Sequence, residues 1–351
     1  MEVLLLGGTG AMGVPLVNLL SERDYVNVYI TSRTEKESKG NVKYIKGNAK
    51  DYNFLEALLD KHYDAIIDFL VYSTEEFKKR LPVILKHTDQ YFFFSSARCY
   101  AESSDLITED SPRLVDVCKD EVYMASDEYG LAKGREENIL RSCETKNWTI
   151  IRPYITYNSH RIQLGVYEKE NWLKRALDGR TIVFPSDIAD RKTSLTYGTD
   201  VARVISLLIG NEKAYGETFH ITTSEVHTWR EICEFYVSEI EKITGIIIHV
   251  KYLDNSDGLY KVWNPWQIKY DRLFDRAFDN SKIESVIGQF KFESTFEGLR
   301  NCLKGFFNAP KWLNMNWPYE AWCDKQCDEF TPFSEISGFK NKLRYLKYRM
   351  L

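Results

Sequence analysis

Residues 3–13 read VLLLGGTGAMG, an apolar run that passes directly into a glycine-rich turn. The run VLLL predicts a buried parallel strand, and the apolar positions of residues 14–20 predict a helix after the turn. Glycines between a strand and a helix let the backbone turn tightly and approach a pyrophosphate, whose charge the helix N-terminus stabilises. The residues predicted to hold a dinucleotide here are Gly7, Thr9, Gly10, Ala11, Met12 and Gly13.

Strand and helix patterns alternate after this turn. We predict strands at residues 26–30, 42–45, 65–69 and 91–94, with helices near residues 54–59 and 75–85 between them. This alternation predicts an α/β fold, a Rossmann-like doubly wound parallel sheet whose ligands gather at the carboxyl ends of its strands. Asn48 follows one such end and is a candidate for contact with the adenine, although a turn-forming asparagine is an equal alternative.

The residues after the second strand bear on the choice of cofactor. A site for NAD usually places Asp or Glu there, about 20 residues beyond the glycine turn, but this chain has TSRT at residues 31–34. Ser32 and Arg33 are predicted to bind a 2′-phosphate, which favours NADP. NAD stays an alternative, because Arg33 pointing into solvent would leave either cofactor usable.

Tyr129, Lys133 and Ser96 are the predicted catalytic residues. If residues 121–141 form a helix, as their Leu, Ala, Lys and Glu content predicts, Tyr129 and Lys133 lie one turn apart on the same face. The ammonium of Lys133 would then favour the ionised phenol and make Tyr129 a proton relay, and it would also hold the nicotinamide ribose. Ser96, after the strand at 91–94, would hydrogen-bond the reacting carbonyl or alcohol.

Composition narrows the class of protein. The chain has 351 residues, and its 44% of apolar residues suffice for a normal core. Its net charge of -4 argues against a nucleic-acid partner. Met1 leads straight into the first strand and no apolar run approaches the length of a membrane span, so a soluble cytoplasmic protein is expected. The seven scattered cysteines are expected to be reduced thiols, and no metal site is predicted.

At these residues the chain resembles the extended short-chain dehydrogenase/reductases, the NAD(P)-dependent nucleotide-sugar epimerase, dehydratase and reductase family. The likeness continues in SSARCY at 95–100, RPY at 152–154, LTYGTDVA at 195–202 and GETFHI at 216–221. It implies a homodimer that acts on a nucleoside diphosphate sugar. It also implies a cofactor domain of residues 1–157 and about 193–222, a smaller C-terminal α/β substrate lobe of about 158–192 and 223–335, and a basic tail at 336–351.

The basic tail has two interpretations. Leu343, Leu346 and Met350 recur at helical spacing among basic residues, so the tail could lie on an anionic membrane surface or a partner. A solvated terminal helix is the favoured alternative.

Differences between this chain and the family's motifs narrow the range of reactions expected. The 4,6-dehydratases of this family have an Asp-Glu pair directly after the catalytic hydroxyl residue, where this chain has Ala97 and Arg98. Enzymes that epimerise C3 and C5 have a cysteine at the position of Arg98. Reduction of a 4-keto-6-deoxy sugar nucleotide at C4 and simple 4-epimerisation remain, and Ser32 with Arg33 favours the reductase. A non-enzymatic NAD(P)-sensing or RNA-binding relative is disfavoured, because such proteins commonly lose the catalytic tyrosine or lysine.

The substrate lobe offers fewer signals. Arg191 and Arg272 are the candidates for binding the diphosphate, and Arg272 and Arg276 are predicted to share one helix face. Surface salt bridges are the equal alternative for these arginines. The stretch WNPW at 263–266 could stack a nucleobase, but packing is the favoured role.

Overall fold

Strands and helices alternate along residues 1–350, which a computed structural model describes. The strands are β1 Glu2–Leu6, β2 Asn27–Ser32, β3 Val42–Lys46, β4 Tyr63–Asp68, β5 Thr88–Phe94, β6 Trp148–Pro153, β7 Thr156–Tyr157, β8 Gln163–Leu164, β9 Tyr167–Glu168, β10 Ile182–Pro185, β11 Lys192–Thr193, β12 Thr196–Tyr197, β13 Glu217–Ile221, β14 His227–Thr228 and β15 Val250–Leu253. The α-helices are α1 Gly13–Ser21, α2 Tyr52–Leu58, α3 Thr74–Lys86, α4 Leu114–Val117, α5 Glu121–Met124, α6 Tyr129–Arg141, α7 Lys169–Leu177, α8 Ser186–Ala189, α9 Gly198–Leu208, α10 Trp229–Thr244, α11 Pro265–Gln267, α12 Ser281–Ile287, α13 Thr295–Asn308, α14 Trp317–Cys327 and α15 Phe339–Met350.

Seven parallel strands form the main sheet, in the order β13-β6-β5-β4-β1-β2-β3. The chain winds outward from β1 to β3 on one side and from β4 to β13 on the other. A crevice for ligands opens at the carboxyl ends of the strands where the winding direction changes, which here is beside β1. The predicted α/β, Rossmann-like doubly wound parallel sheet is confirmed.

Both faces of this sheet are buried, as the apolar run of β1 predicts. Val3 and Leu5 pack into one cluster with side chains of α1 and α9, whereas Leu4 and Leu6 pack into the opposite cluster with side chains of α2, α3 and α6. Successive side chains of a strand point to opposite faces, so a strand covered on both sides is apolar at every position. The sheet and the helices on its two faces therefore form a three-layer core, which fixes the positions of the strand ends.

The chain divides into two compact units. The first comprises Met1–Asn158, Ser194–Ser224 and Phe278–Thr295, and the second comprises Ser159–Thr193, Glu225–Ala277 and the chain from Phe296 onward. The segment 278–295 was expected in the substrate lobe but belongs to the first unit. Its helix α12 places Ile283 in the same apolar cluster as β13 and α9, and Phe290 packs on that cluster.

The second unit is built mainly from helices, with the parallel strand pair β10 and β15 and two short antiparallel pairs. Its buried Arg175 joins α7 to α14 through Glu320 at 2.8 Å and Asp324 at 2.6 Å. The helix α15 packs on α14, where Tyr345 is buried and donates a hydrogen bond of 2.5 Å to Asp324. Residues 339–350 are therefore a docked helix of this unit and not the separate tail that the charge pattern predicted.

The length and hydropathy of the helices within residues 1–350 bear on membrane insertion. None of them combines the length and the apolar character that crossing a membrane requires.

Candidate active site

The glycine turn leaves open space in front of helix α1. Gly7 has φ +75°, a conformation that favours glycine, and its N–H donates to the Thr31 hydroxyl at 2.9 Å. A Cβ on Gly13 would lie 2.5 Å from the backbone of Gly8, so glycine lets α1 begin directly against the turn. A Cβ on Gly10 would meet no atom within 4 Å. No side chain caps α1 and its first turn holds no acidic residue, which fits an anionic pyrophosphate.

A cavity of about 270 Å³ lies at the ends of β1, β2 and β3 in the first unit. The predicted residues Gly7, Thr9, Ser32, Arg33 and Asn48 all line it, whereas Gly10, Ala11, Met12 and Gly13 do not. The other lining residues are Thr31, Gly47, Ala49, Lys50 and Leu70. The lining contains two cations and no carboxylate, and Lys50 is the cation that sequence reasoning missed.

Ser32 and Asn48 already make local hydrogen bonds in this cavity. Ser32 Oγ donates to the Thr34 carbonyl at 2.8 Å, and Asn48 Oδ1 accepts from the Lys50 N–H at 3.2 Å. Asn48 therefore forms a turn and also lines the cavity, so its contact with the adenine stays a prediction. Arg33 is exposed and forms no ion pair with any residue from 1 to 350, which leaves its guanidinium available at the cavity.

Helix α6 begins at Tyr129 itself, and the predicted continuous helix over 121–141 was wrong. The chain forms α5 at Glu121–Met124, turns, and starts again after Glu128. The Glu128 backbone is extended, and its carboxylate accepts a hydrogen bond of 2.9 Å from the N–H of Gly130. An extended residue whose side chain bonds the next N–H groups begins a new helix.

Tyr129 and Lys133 occupy the first turns of α6, four residues apart. Lys133 is 1% exposed, and its Nζ lies 2.9 Å from Glu136 Oε2 and 4.6 Å from the centre of the Phe93 ring. Tyr129 is half-buried, and the Arg98 guanidinium lies 5.1 Å from the centre of its ring. The tyrosine is therefore partly exposed, whereas the lysine is enclosed.

The loop that carries Ser96 contacts the α6 region both before and after Ser96 in the sequence. Ser96 is buried, and its Oγ caps the 3-10 turn Ala97–Cys99 by accepting from the Arg98 N–H at 3.2 Å. Before it, Ser95 Oγ donates to Glu137 at 2.5 Å, and after it, Arg98 pairs with Glu128 at 2.7 Å. These two contacts hold the Ser96 loop to the helix that carries Tyr129 and Lys133.

Comparison with known families identifies the chain. Residues 3–222 match the sequence model of the NAD dependent epimerase/dehydratase family. The chain belongs to this family. No curated protein sequence matches it significantly.

Solved structures with the same fold have low sequence identity to this family member. WbmH of Bordetella bronchiseptica, in complex with NAD+, is 14% identical with a TM-score of 0.66 over 88% of this chain and 99% of that one. The UDP-glucuronic acid 4-epimerase of Bacillus cereus is 17% identical, with a TM-score of 0.65 over 87% and 100%. The UDP-N-acetylglucosamine 4-epimerase of Methanobrevibacter ruminantium M1 is 18% identical, with a TM-score of 0.66 over 88% and 98%. At these identities the likeness shows the fold alone.

Sequence reasoning missed Glu137, a buried carboxylate of α6 that contacts Ser95, Arg152 and Arg113. Arg152 contacts both of its carboxylate oxygens, at 2.8 and 2.6 Å, and Arg113 contacts one at 2.9 Å. Burial would raise the pKa of Glu137, but the charge of Arg152 and the hydrogen bonds from Arg152 and Ser95 lower it to about 2. The ionised Glu137 therefore fixes Ser95, the neighbour of Ser96. Its position four residues after Lys133 is the signal that could have revealed it.

The arginines predicted to bind substrate differ in their surroundings in the second unit. Arg191 is half-buried on the loop before β11. Arg272 is buried, pairs with Asp271 and donates to the Gly165 carbonyl at 2.8 Å. Arg276 is also buried and lies beyond the helical turn that ends at Arg272, so the shared helix face and the surface salt bridges were both wrong. Burial among fixed partners makes Arg272 part of this unit's core.

The aromatic pair at 263–266 packs within the second unit. Trp263 meets Tyr167 and Tyr319 edge to face at 5.5 and 5.3 Å, and Trp266 stacks on Tyr270 at 6.0 Å. These contacts agree with the packing role that was favoured for the stretch.

Proposed function

We propose that this member of the family is an NAD(P)-dependent oxidoreductase of nucleotide sugars that reduces a 4-keto-6-deoxy sugar nucleotide at C4. The observation that carries the proposal is the single helix α6, which bears Tyr129 and Lys133 in its first turns and fastens the Ser96 loop. A bound dinucleotide, held by the α1 N-terminus and by the cavity that Ser32 and Arg33 line, supplies the hydride.

The three side chains have complementary roles in this reaction. Tyr129 gives its phenolic proton to the carbonyl oxygen as C4 is reduced, so that a hydroxyl forms at C4 and a phenolate remains on the protein. Ser96 donates a hydrogen bond to the same oxygen. The Lys133 ammonium stabilises the phenolate until a proton from solvent replaces the one transferred.

The residues after Ser96 argue against dehydration. Loss of water needs an acid and a base beyond Tyr129. Ala97 has no ionisable group, and Arg98 is engaged with Glu128. Reduction needs neither group, so the site supports a reductase better than a dehydratase.

Two observations bear on NADP against NAD. The cavity that would take the adenosine end is lined by the cations Arg33 and Lys50 and by no carboxylate, which favours a 2′-phosphate. The solved structures of WbmH and of the Bacillus cereus epimerase contain NAD. Those proteins share less than a fifth of their residues with this chain, so the local charge is the stronger guide to its cofactor.

Replacing Arg33 by alanine should weaken NADPH binding by about 1–3 kcal/mol and leave NADH binding almost unchanged, since the change removes a charge-assisted contact to a phosphate. Titration of each variant with both cofactors measures this. Arg344→Ala, which removes an exposed arginine of the second unit, is the matched control and should change neither affinity. Equal binding of NADPH and NADH by the unaltered protein would contradict the preference.

A 4-epimerase is the second candidate. It needs only Ser96, Tyr129 and Lys133, and two of the similar solved structures are nucleotide-sugar 4-epimerases, one of them in complex with NAD and UDP-glucuronic acid. In either reaction the second unit would bind the nucleoside diphosphate of the substrate, and Arg191 is the candidate side chain for this contact.

The fate of the hydride separates these candidates. We expect this enzyme to consume one NADPH for each product formed from a 4-keto-6-deoxyhexose nucleotide, because a reductase transfers hydride once and releases oxidised cofactor. With NADPH deuterated at its transferable position, mass spectrometry and NMR should find the label at C4. Interconversion of 4-hydroxy sugars without added cofactor would indicate the epimerase. A new keto-deoxy sugar formed from a simple hexose nucleotide would indicate a dehydratase and contradict both.

A further inference from the structure

Two buried carboxyl groups lie close to Lys133 and take no part in the reaction proposed above. Glu136, one turn after Lys133 on α6, is fully buried and contacts the Lys133 ammonium through Oε2 at 2.9 Å. Its other oxygen, Oε1, has no hydrogen-bond donor. A buried carboxylate oxygen without a donor is costly when the group is ionised, so this environment favours a protonated Glu136.

Asp68 supplies the second carboxyl group, at the end of β4. It is 1% exposed and accepts hydrogen bonds from the hydroxyls of Tyr91 at 3.0 Å and Tyr72 at 3.1 Å and from the Leu70 N–H at 3.0 Å. Its charge interacts with those of both Lys133 and Glu136. An aspartate this deeply buried is unusual unless the structure provides it with partners.

Negative charge exceeds positive charge among Asp68, Glu136 and Lys133 when all three are ionised. Asp68 and Glu136 carry two negative charges against the one positive charge of Lys133. From the neighbouring elements, Arg80 on α3 faces Tyr72, with its guanidinium 4.6 Å from the ring centre, and the negative charge of Asp127 acts from the turn before α6.

The carboxyl pKa values reflect this crowding. Burial raises the pKa of Glu136 to about 7 against the opposing effect of Lys133. Burial likewise raises the pKa of Asp68 to about 6, although its hydrogen bonds act in the other direction. The hydroxyls of Tyr72 and Tyr91 stay neutral, because burial raises their pKa values well above the usual range.

We propose that Glu136 is a positioning residue for Lys133, and that Glu136 and Asp68 together hold a proton near neutral pH which sets how much of the lysine's positive charge acts on Tyr129. When Glu136 is protonated, its carboxyl no longer opposes the neighbouring ammonium, which favours the phenolate. When Glu136 is ionised, its charge partly cancels that effect. The inference rests on the proposed roles of Tyr129 and Lys133, but the protonation of the pair can be tested without any activity.

The stability test compares Glu136→Gln with the unaltered protein. A carboxyl whose pKa is raised on folding binds more protons in the native than in the unfolded state, so its contribution to stability is present at low pH and is lost as pH rises through the native value. Glutamine keeps an oxygen acceptor for Lys133 and never ionises. The difference in Tm, variant minus unaltered protein, should therefore become more positive from about pH 5 to about pH 8.

Glu144→Gln is the matched control, because it makes the same chemical change at an exposed position shortly after α6. Its Tm difference should not vary with pH. A Tm difference for Glu136→Gln that is equally flat would overturn the proposal, since native Glu136 would then be ionised throughout this range, as it is in the unfolded chain.

A pH–rate profile tests the effect on Tyr129. In the reduction, the basic limb of the kcat profile follows loss of the proton that Tyr129 must donate. In Glu136→Gln the uncancelled charge of Lys133 should move this limb to lower pH by roughly half a unit or more, with little change in KM. A limb that stays in place in an active Glu136→Gln protein would overturn the coupling, since a purely structural role would lower kcat without moving the limb.

Asp68→Asn keeps the proposal testable if Glu136→Gln does not fold. Removing the neighbouring negative charge should lower the pH at which the infrared band of a neutral carboxylic acid disappears, measured on the protein without cofactor or substrate. An unchanged band would contradict the carboxyl pair. If the band behaves as expected but Tyr129→Phe keeps full activity, the proposed function fails while the protonated pair stands.

Discussion

Tyr129→Phe is expected to lower kcat by two or more orders of magnitude and to leave dinucleotide affinity unchanged. The change removes only the phenolic O–H, which is the proton that the carbonyl oxygen must receive, and loss of a general acid has this scale. The ring stays, so the Arg98 guanidinium keeps its neighbour, and Glu128 still caps α6. Single-turnover rates and cofactor titration separate the chemical step from binding.

The control for this prediction is Tyr25→Phe. Tyr25 is 68% exposed, so loss of its hydroxyl should alter neither rate nor affinity. Turnover in Tyr129→Phe close to that of the unaltered enzyme would remove Tyr129 from the mechanism. Equal loss of rate and of cofactor affinity would instead indicate a disturbed α6, which thermal unfolding would reveal.

Interactions between near neighbours in the chain explain why the sequence predicted the strand, turn and helix of residues 3–20. A strand that is apolar at every position, a glycine turn and an amphipathic helix follow one another within residues 3–20, so each pattern depends on near neighbours alone. Ser32 and Arg33 could be placed for the same reason, because they lie at the end of β2 and line the cavity there, while their contact with a phosphate stays a prediction.

Contacts between distant segments explain what the sequence could not predict. Asp68 and Glu136 are 68 positions apart on β4 and α6, and only the folded sheet brings the charge of Asp68 to Glu136 and Lys133. The composition of residues 121–141 favoured one helix, but the Glu128 carboxylate starts a second one at Tyr129. The basic residues 336–351 were predicted to form a solvated terminal helix, whereas buried Tyr345 docks the helix α15 on α14.

The surroundings of Arg272 also depend on a distant segment, which the sequence pattern could not reveal. Its sequence surroundings are those of a helix with spaced arginines, which is equally typical of an anion site and of a salt-bridged surface. The structure buries it beside Asp271 and the Gly165 carbonyl, a partner more than 100 positions away. The choice between ligand binding and core packing depended on that distant loop.

Two alanine substitutions in the glycine turn should distinguish its role in packing α1 against the turn from its role in binding the pyrophosphate. A Cβ on Gly13 would lie 2.5 Å from the Gly8 backbone, so Gly13→Ala should lower the free energy of unfolding by about 1–3 kcal/mol and weaken dinucleotide binding more than tenfold as α1 is pushed from the turn. A Cβ on Gly10 meets nothing, so Gly10→Ala should leave stability unchanged.

Gly10→Ala should nevertheless weaken dinucleotide binding, because its new methyl group occupies the open space in front of the α1 N-terminus where the pyrophosphate is expected. Denaturant unfolding without cofactor measures the stabilities, and calorimetric titration measures the affinities. A stable Gly10→Ala protein with full affinity would show that the phosphates bind elsewhere, since no protein atom lies near enough to absorb the change. A Gly13→Ala protein of normal stability would show that α1 can shift without cost, and its affinity would then report the turn geometry alone.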